Sequence, residues 1–254
     1  NINLSKSCNT GFLSNMYLSL RHTQNTSNNN ISLTLPDIAV NSRRIYPLKL
    51  INKSIKRKWY DKIYIQYNLN AKNTITTIDS LLFSKNSLSQ FRNGIKHNIP
   101  IGASIKLMKY FNLNPSFNLT ERWYTNRIHK TWNANDSSLI IDTINKFTRG
   151  LDYSFSTAIN TKIYGLIKFK KSKISAIRHV ISPSISFRYS PDFSNERYNY
   201  YETVQINENG ESEIYSIMNN GIYGSPSNRE IGNINFSIGN ILDMKIKNNK
   251  DSTK

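Results

Sequence analysis

The chain has 254 residues, and 34 basic against 16 acidic side chains give it a formal net charge of +18. Its 34 Ile, 15 Tyr and 11 Phe need burial, which argues against a disordered chain. Apolar residues almost never run past three or four together, which excludes a membrane-spanning helix of roughly 20 apolar residues.

The composition also argues against several kinds of functional site. Cys8 is the single cysteine, which excludes an internal disulfide and a CxxC zinc site. The four histidines are far apart in the sequence, and no GxSxG, HExxH or P-loop motif occurs. We therefore expect no catalytic residues, no metal site and no cofactor, although a hydrolase with separated Ser and His residues stays open.

The charge of +18 has two explanations. It indicates a polyanionic partner, which could be nucleic acid, an anionic membrane or an anionic glycolipid. The chain also contains 36 Asn, and abundant Asn, Ile and Lys are typical of AT-rich genomes, in which lysine accumulates by drift.

Apolar and polar residues alternate along much of the chain, as they do in β-strands with one apolar face. Between residues 111 and 120, every odd position is apolar and every even position is polar. Helical periodicity does not persist beyond two turns anywhere. Eight strands are therefore predicted, at about 12–22, 31–42, 59–75, 92–107, 111–124, 151–169, 179–190 and 230–247.

The connections between these strands differ in length. Residues 108–110 and 170–178 are short connections. The long, polar connections are 76–91, 125–150 and 191–229. Transmembrane β-barrels have short periplasmic turns and long outer loops, so this pattern favours an up-and-down meander. The connection 43–58 is an exception, because it is long on the side predicted to be short.

A soluble β-sandwich would also alternate, but three features favour a membrane barrel. Several strands reach the 9–11 residues of a tilted span, and the polar faces contain almost no apolar residues. Aromatic residues near strand ends are typical of the girdles at membrane interfaces. The candidate interface aromatics are Trp59, Tyr60, Trp123, Tyr124 and Tyr189. We predict an all-β fold, an antiparallel up-and-down transmembrane β-barrel segment with about eight strands of a larger barrel.

Three prolines, Pro100, Pro115 and Pro183, lie inside the predicted strands. Proline has no backbone N–H, so each removes one hydrogen bond from the ladder. We expect a bulge, an edge or locally weak pairing at each of them.

From about residue 31 onward, the sequence resembles the barrel region of the Bacteroidota form of the lipopolysaccharide-assembly protein family LptD. The matching blocks are KRKWYDKI (56–63), DSLLF (79–83), NLNPSFN (112–118), ERWY (121–124), FKKSKISAIRHV (169–180), SPSISFRYSPDFS (182–194) and NGIYGSP (220–226). The blocks are long and occur in order along the chain, which makes the resemblance fairly specific.

The resemblance implies a large barrel in the outer membrane of Gram-negative bacteria, preceded by a periplasmic jellyroll domain. It implies that lipopolysaccharide is received from a periplasmic Lpt bridge and inserted into the outer leaflet through a lateral opening, with an LptE-like lipoprotein plugging the lumen. The implied partners are therefore lipopolysaccharide, that plug, the bridge and outer-membrane lipid, without nucleic acid. We expect residues 1–254 to be part of one barrel domain, without the jellyroll and the remaining strands.

Two groups of basic residues are candidates for contact with an anionic glycolipid. The candidate lumen contacts are Lys62, Lys106, Arg122, Lys162 and Arg188. The candidate periplasmic basic rim comprises Lys56, Arg57, Lys58, Lys170, Lys171, Lys173 and Arg178. General lumen polarity and solvated turns explain the same residues without a ligand. A generic outer-membrane channel or receptor, and a soluble basic β protein that binds nucleic acid, are the alternative functions.

Overall fold

The computed structural model describes residues 1–9, 11–52, 58–82, 84, 87, 90–170 and 173–246. Nearly all of its regular structure is antiparallel β-sheet. The strands are β1 (Ile2–Ser7), β2 (Leu13–Asn25), β3 (Asn30–Ser42), β4 (Tyr64–Ile65), β5 (Asn68–Ile78), β6 (Arg92–Gly102), β7 (Ile105–Leu107), β8 (Phe111–Tyr124), β9 (Arg127–Asn133), β10 (Ser138–Ile144), β11 (Thr148–Asn160), β12 (Ile163–Lys168), β13 (Ile174–Ser190), β14 (Tyr201–Gln205), β15 (Ser212–Ser216) and β16 (Ile231–Ile246).

The main sheet is an up-and-down meander in the order β1-β2-β3-β5-β6-β8-β11-β13, with β16 on the far side of β13. Among the described residues this sheet has 12 strands. β4, β7 and β12 continue β5, β6 and β11 in the same register with the neighbouring strand, so the sheet consists of nine long strands. The sheet is open, with β1 at one edge and β16 at the other. The prediction of an antiparallel up-and-down barrel segment is confirmed.

In the part of the chain that the structure describes, helical structure is limited to short pieces. A five-residue helix, α1 (Pro47–Ile51), and a 3-10 turn, Trp59–Lys62, lie in the connection between β3 and β4. Within the described residues, no helix has the length and apolar composition needed to cross a membrane.

Each of the three prolines predicted to weaken strand pairing coincides with a break in the neighbouring strand. The backbone N–H groups of Gln66, Ala103 and Thr161 donate to the carbonyls of Pro100, Pro115 and Pro183, at 3.0, 3.0 and 3.2 Å respectively. The proline cannot donate back, so the ladder lacks one bond at each place. These breaks separate β4 from β5, β6 from β7 and β11 from β12.

The connections lie at two ends of the sheet. The short-turn end carries 108–110, 169–173 and the connection with α1. The long-loop end carries the connections after β5, β8 and β13. The two longest loops are partly folded, because β9 and β10 form one hairpin and β14 and β15 form another. Sequence alternation did not predict these hairpins or β1.

Two predicted strand boundaries are corrected. Residues 59–62 are a 3-10 turn rather than the start of a strand, because the Asp61 carboxylate accepts a hydrogen bond from the Lys58 N–H at 2.7 Å. β13 begins at Ile174, earlier than predicted, and pairs with β12.

The sheet has two chemically different faces. On the apolar face, defined on β8 by Leu113, Pro115, Phe117 and Leu119, large hydrophobic side chains remain accessible. On neighbouring strands, Phe155, Ile185, Phe187, Ile234, Phe236 and Ile238 are between 37 and 68% exposed. The polar face, defined on β8 by Asn112, Asn114, Ser116 and Asn118, lies opposite. Buried clusters are small and concentrate near the long-loop end.

Candidate functional site

Hydrogen bonds between neighbouring strands run along the polar face. The hydroxyls of Ser116 and Ser156 lie 2.7 Å apart, and the Asn112 amide donates to the Asn160 side-chain oxygen at 3.2 Å. Such short side chains leave space and polar groups above the sheet. This face can therefore contact water or a polar ligand, while the opposite face cannot do so without exposing hydrocarbon.

Three of the candidate lumen contacts are exposed on the polar side of the sheet. Lys106 lies opposite Asn112, and Arg188 opposite Ser156, so both share the polar face. Lys162 occupies the short break between β11 and β12 and is exposed. Lys62 is also exposed but ends the 3-10 turn at the short-turn end.

Arg122, the remaining candidate lumen contact, is already engaged. It is 9% exposed, forms an ion pair with Asp152, and donates from Nε to the Tyr223 carbonyl at 3.1 Å. Its guanidinium joins β8, β11 and a loop segment. The structure thus gives Arg122 a positioning role in place of the predicted contact with a free ligand.

Residues 217–226, which follow β15, pack against the polar face near the long-loop end. Met218 and Pro226 are fully buried there. Gly94 and Gly150 make this approach possible. A Cβ on Gly94 would lie 2.8 Å from the Tyr124 ring, and one on Gly150 would lie 2.7 Å from the Met218 sulfur. The segment therefore covers part of the polar face.

Tyr124 anchors the 217–226 segment. Its hydroxyl donates to the Gly224 carbonyl at 2.7 Å and accepts from the Tyr223 N–H at 3.2 Å, and its side chain is 2% exposed. The prediction of Tyr124 as an interface aromatic is corrected, because its ring contacts protein on the polar face. Its even position in β8 already indicates that face.

The other candidate interface aromatics lie near the ends of the apolar face. Trp59 is 61% exposed and borders a groove on the apolar face with Ile101 and Phe117, and Tyr60 packs edge-on against it with ring centres 5.8 Å apart. Trp123 lies at the opposite end of β8. Tyr189 lies near the end of β13, and its hydroxyl donates to Glu230, just before β16, at 2.8 Å.

The apolar face carries a polar network beside Trp123. The indole N–H donates to Glu121 at 2.6 Å, and Glu121 also pairs with the exposed Arg149. His97 lies against the indole, with ring centres 4.2 Å apart, and contacts the Tyr67 hydroxyl at 2.7 Å. A tryptophan whose ring lies on the apolar face while its N–H has a polar partner is typical of a membrane interface.

The candidate basic rim is partly described. Lys58 and Lys173 are exposed at the short-turn end, as is Lys170. Arg178 lies within β13 and pairs with Asp243 of β16 at 2.6 Å, so it bridges two strands. Lys56, Arg57 and Lys171 lie outside the described residues.

The hairpins β9–β10 and β14–β15 pack against each other at the long-loop end. Ile128, Val204 and Tyr215 form a buried cluster between them. Beside it, Glu202 accepts from the Tyr215 hydroxyl at 2.6 Å and lies 3.7 Å from Arg127. Burial alone would raise the pKa of Glu202, but hydrogen bonds from Tyr215 and His129, together with the charge of Arg127, lower it overall. We refer to these strands as the hairpin pair.

Sequence comparison identifies the family of the chain. The protein family described as LptD protein matches residues 1–254. Comparison with curated proteins and comparison with solved structures each gave no match. LptD proteins are outer-membrane proteins that take part in lipopolysaccharide transport, and they are a transport family rather than an enzyme family. The alternating faces, the open up-and-down sheet and this match agree, and the chain belongs to the LptD family.

Proposed function

We propose that this chain forms part of the barrel wall of an LptD-type translocon, which inserts lipopolysaccharide into the outer leaflet of the outer membrane. The observation that carries the proposal is the two-faced sheet of an LptD-family chain. Its apolar face would meet lipid, and its polar face would line the lumen. The basic residues exposed on the polar side would then contact sugar and phosphate groups.

Strand length supports a membrane span. Between Phe111 and Trp123 on β8, twelve residue steps correspond to about 40 Å of strand. At a tilt of about 40°, this gives a height of about 30 Å, which matches the thickness of the hydrocarbon core of a bilayer. Trp123 would then lie near one of the two boundaries. The long-loop end would face outward, and the short-turn end the periplasm.

The open edges of the sheet support the proposal that residues 1–254 are part of a larger barrel domain. β16 has 16 residues, all exposed, and its second edge is unpaired among the described residues. An unpaired strand edge of this length would be unstable in a membrane and prone to association in water. We propose that β1 and β16 pair with further strands of the same barrel, with an LptE-like lipoprotein inside it and a periplasmic Lpt bridge below.

Site-specific photocrosslinking in the full-length protein tests the lumen assignment. A photoreactive residue at position 106 should give an adduct with lipopolysaccharide, because Lys106 is exposed on the polar face near the short-turn end. Position 107 is the matched control, since Leu107 is adjacent and 43% exposed on the apolar face. Adducts at position 107 but not at 106 would overturn the assignment of the two faces.

Depletion of the full-length protein gives a second test, at the level of function. We expect the amount of surface lipopolysaccharide to fall. Newly made lipopolysaccharide should accumulate in the cell without reaching the outer leaflet. Unchanged surface lipopolysaccharide would contradict the proposed translocon role and favour a generic channel.

A further inference from the structure

A cavity of about 370 Å³ lies at the long-loop end, beside the β9–β10 hairpin. It is lined by residues at the start of β6, by residues at the beginning of β9 and the end of β10, and by residues of the 217–226 segment. Arg92 and Arg127 are its two charged residues, and none of the described residues that line it is acidic. This volume is within the range of small-ligand sites, about 300–1,000 Å³.

No acidic side chain that the structure describes forms an ion pair with Arg92. Its Nε donates to the Asn220 carbonyl at 2.9 Å, which fixes the side chain. Among the described residues, its two terminal nitrogens have no hydrogen-bond partner. A guanidinium held at Nε with free terminal N–H groups is suited to binding an oxyanion through parallel hydrogen bonds.

The charge of Arg127 is only partly neutralised. Its Nη1 lies 3.7 Å from Glu202, which is beyond hydrogen-bond distance, and its Nε is buried without a hydrogen-bond partner in the described structure. Glu202 is shared, because its other oxygen accepts from Tyr215 at 2.6 Å and lies 3.3 Å from His129. The cavity therefore carries a net positive charge.

The other residues that line the cavity indicate which chemical group is attached to the anion. Asn126, Thr143 and Asn145 supply neutral donors and acceptors, while Ile128 and Met218 supply an apolar wall. Amide and hydroxyl groups pair with sugar hydroxyls, and an apolar wall packs against a sugar ring. We propose that this cavity is a binding site for a phosphorylated sugar, with the phosphate between Arg92 and Arg127. The site is separate from the candidate lumen contacts.

Binding of glucose 1-phosphate to the full-length protein in detergent, measured by calorimetry, tests the site. Inorganic phosphate and glucose are the comparison probes, and they separate recognition of the anion from recognition of the sugar. We expect glucose 1-phosphate to bind more tightly than either, and its affinity to fall with added salt. Arg92→Gln and Arg127→Gln should each weaken its binding at least tenfold.

Arg149→Gln is the matched control, because Arg149 is exposed on the apolar face away from the cavity. It should leave the affinity for glucose 1-phosphate unchanged. Arg127→Gln also removes the contact with Glu202, so Arg92→Gln, which leaves the hairpin pair intact, decides the outcome. The proposal is overturned if glucose 1-phosphate does not bind, binds no better than both comparison probes, or binds equally well to all variants. Such a failure would leave the crosslinking test at position 106 unaffected.

Discussion

At the scale of single residues, Asp152 is the partner that makes the buried Arg122 tolerable. Asp152→Asn would leave Arg122, which is 9% exposed, without its countercharge. Breaking a fully buried pair costs about 3–5 kcal/mol. Because the Asp152 side chain is 23% exposed, we expect a smaller loss of about 2 kcal/mol in the free energy of unfolding. Urea unfolding of the full-length protein in detergent measures this loss.

The control for this variant is Asp243→Asn. Asp243 pairs with Arg178, but their side chains are 47% and 59% exposed. Solvent screens such a pair, so its loss should cost less than about 1 kcal/mol. Equal losses for both variants would show that burial does not determine the contribution of Arg122.

Gly94 tests how the 217–226 segment is held. In Gly94→Val, the new side chain would collide with the Tyr124 ring and with Ile222, whose nearest atoms lie 2.8 and 2.9 Å from the Cβ position. We expect the segment to detach and chymotrypsin to cleave it after Tyr223 several-fold faster. Gly232→Val is the control, because that Cβ position has no neighbour within 4 Å and valine suits a strand. Equal cleavage rates in both variants would argue against this packing.

At the scale of elements, sequence alternation predicted the long strands that have one apolar face. It missed the strands whose formation depends on contacts with residues distant in the sequence. β8 spans residues 111–124, as predicted, because the registers with both its neighbours place odd-numbered residues on the same apolar face. The run Leu139–Ile141 in β10 does not alternate, and its hairpin is stabilised by contacts with β14 and β15, which are more than 60 residues away. The role of Tyr124 also depends on residues about 100 positions later.

A single substitution should restore the backbone hydrogen bond that is missing where a proline interrupts the pairing of two strands. Pro115→Val would add an N–H opposite the Ala103 carbonyl and join β6 to β7. We expect the amide of residue 115 to be protected from hydrogen exchange, with a gain of about 1 kcal/mol for the added bond. Pro191→Val is the control, since Pro191 follows the end of β13 and lies outside the sheet. An unprotected amide at position 115 would mean that the break has another cause.

At the scale of the whole molecule, the two faces of β16 decide whether the sheet lies in a membrane. Phe236 is on the apolar face and 68% exposed, while Ser237 lies opposite Ser184 on the polar face. A lysine on the lipid face of a barrel costs about 2–4 kcal/mol near the bilayer centre. In the full-length protein, Phe236→Lys should therefore lower the folded fraction in lipid vesicles, and Ser237→Lys should not. Heat-dependent gel mobility measures that fraction. If both lysines were tolerated equally, the apolar face would meet protein or water instead of lipid, and the barrel-wall proposal would fail with it.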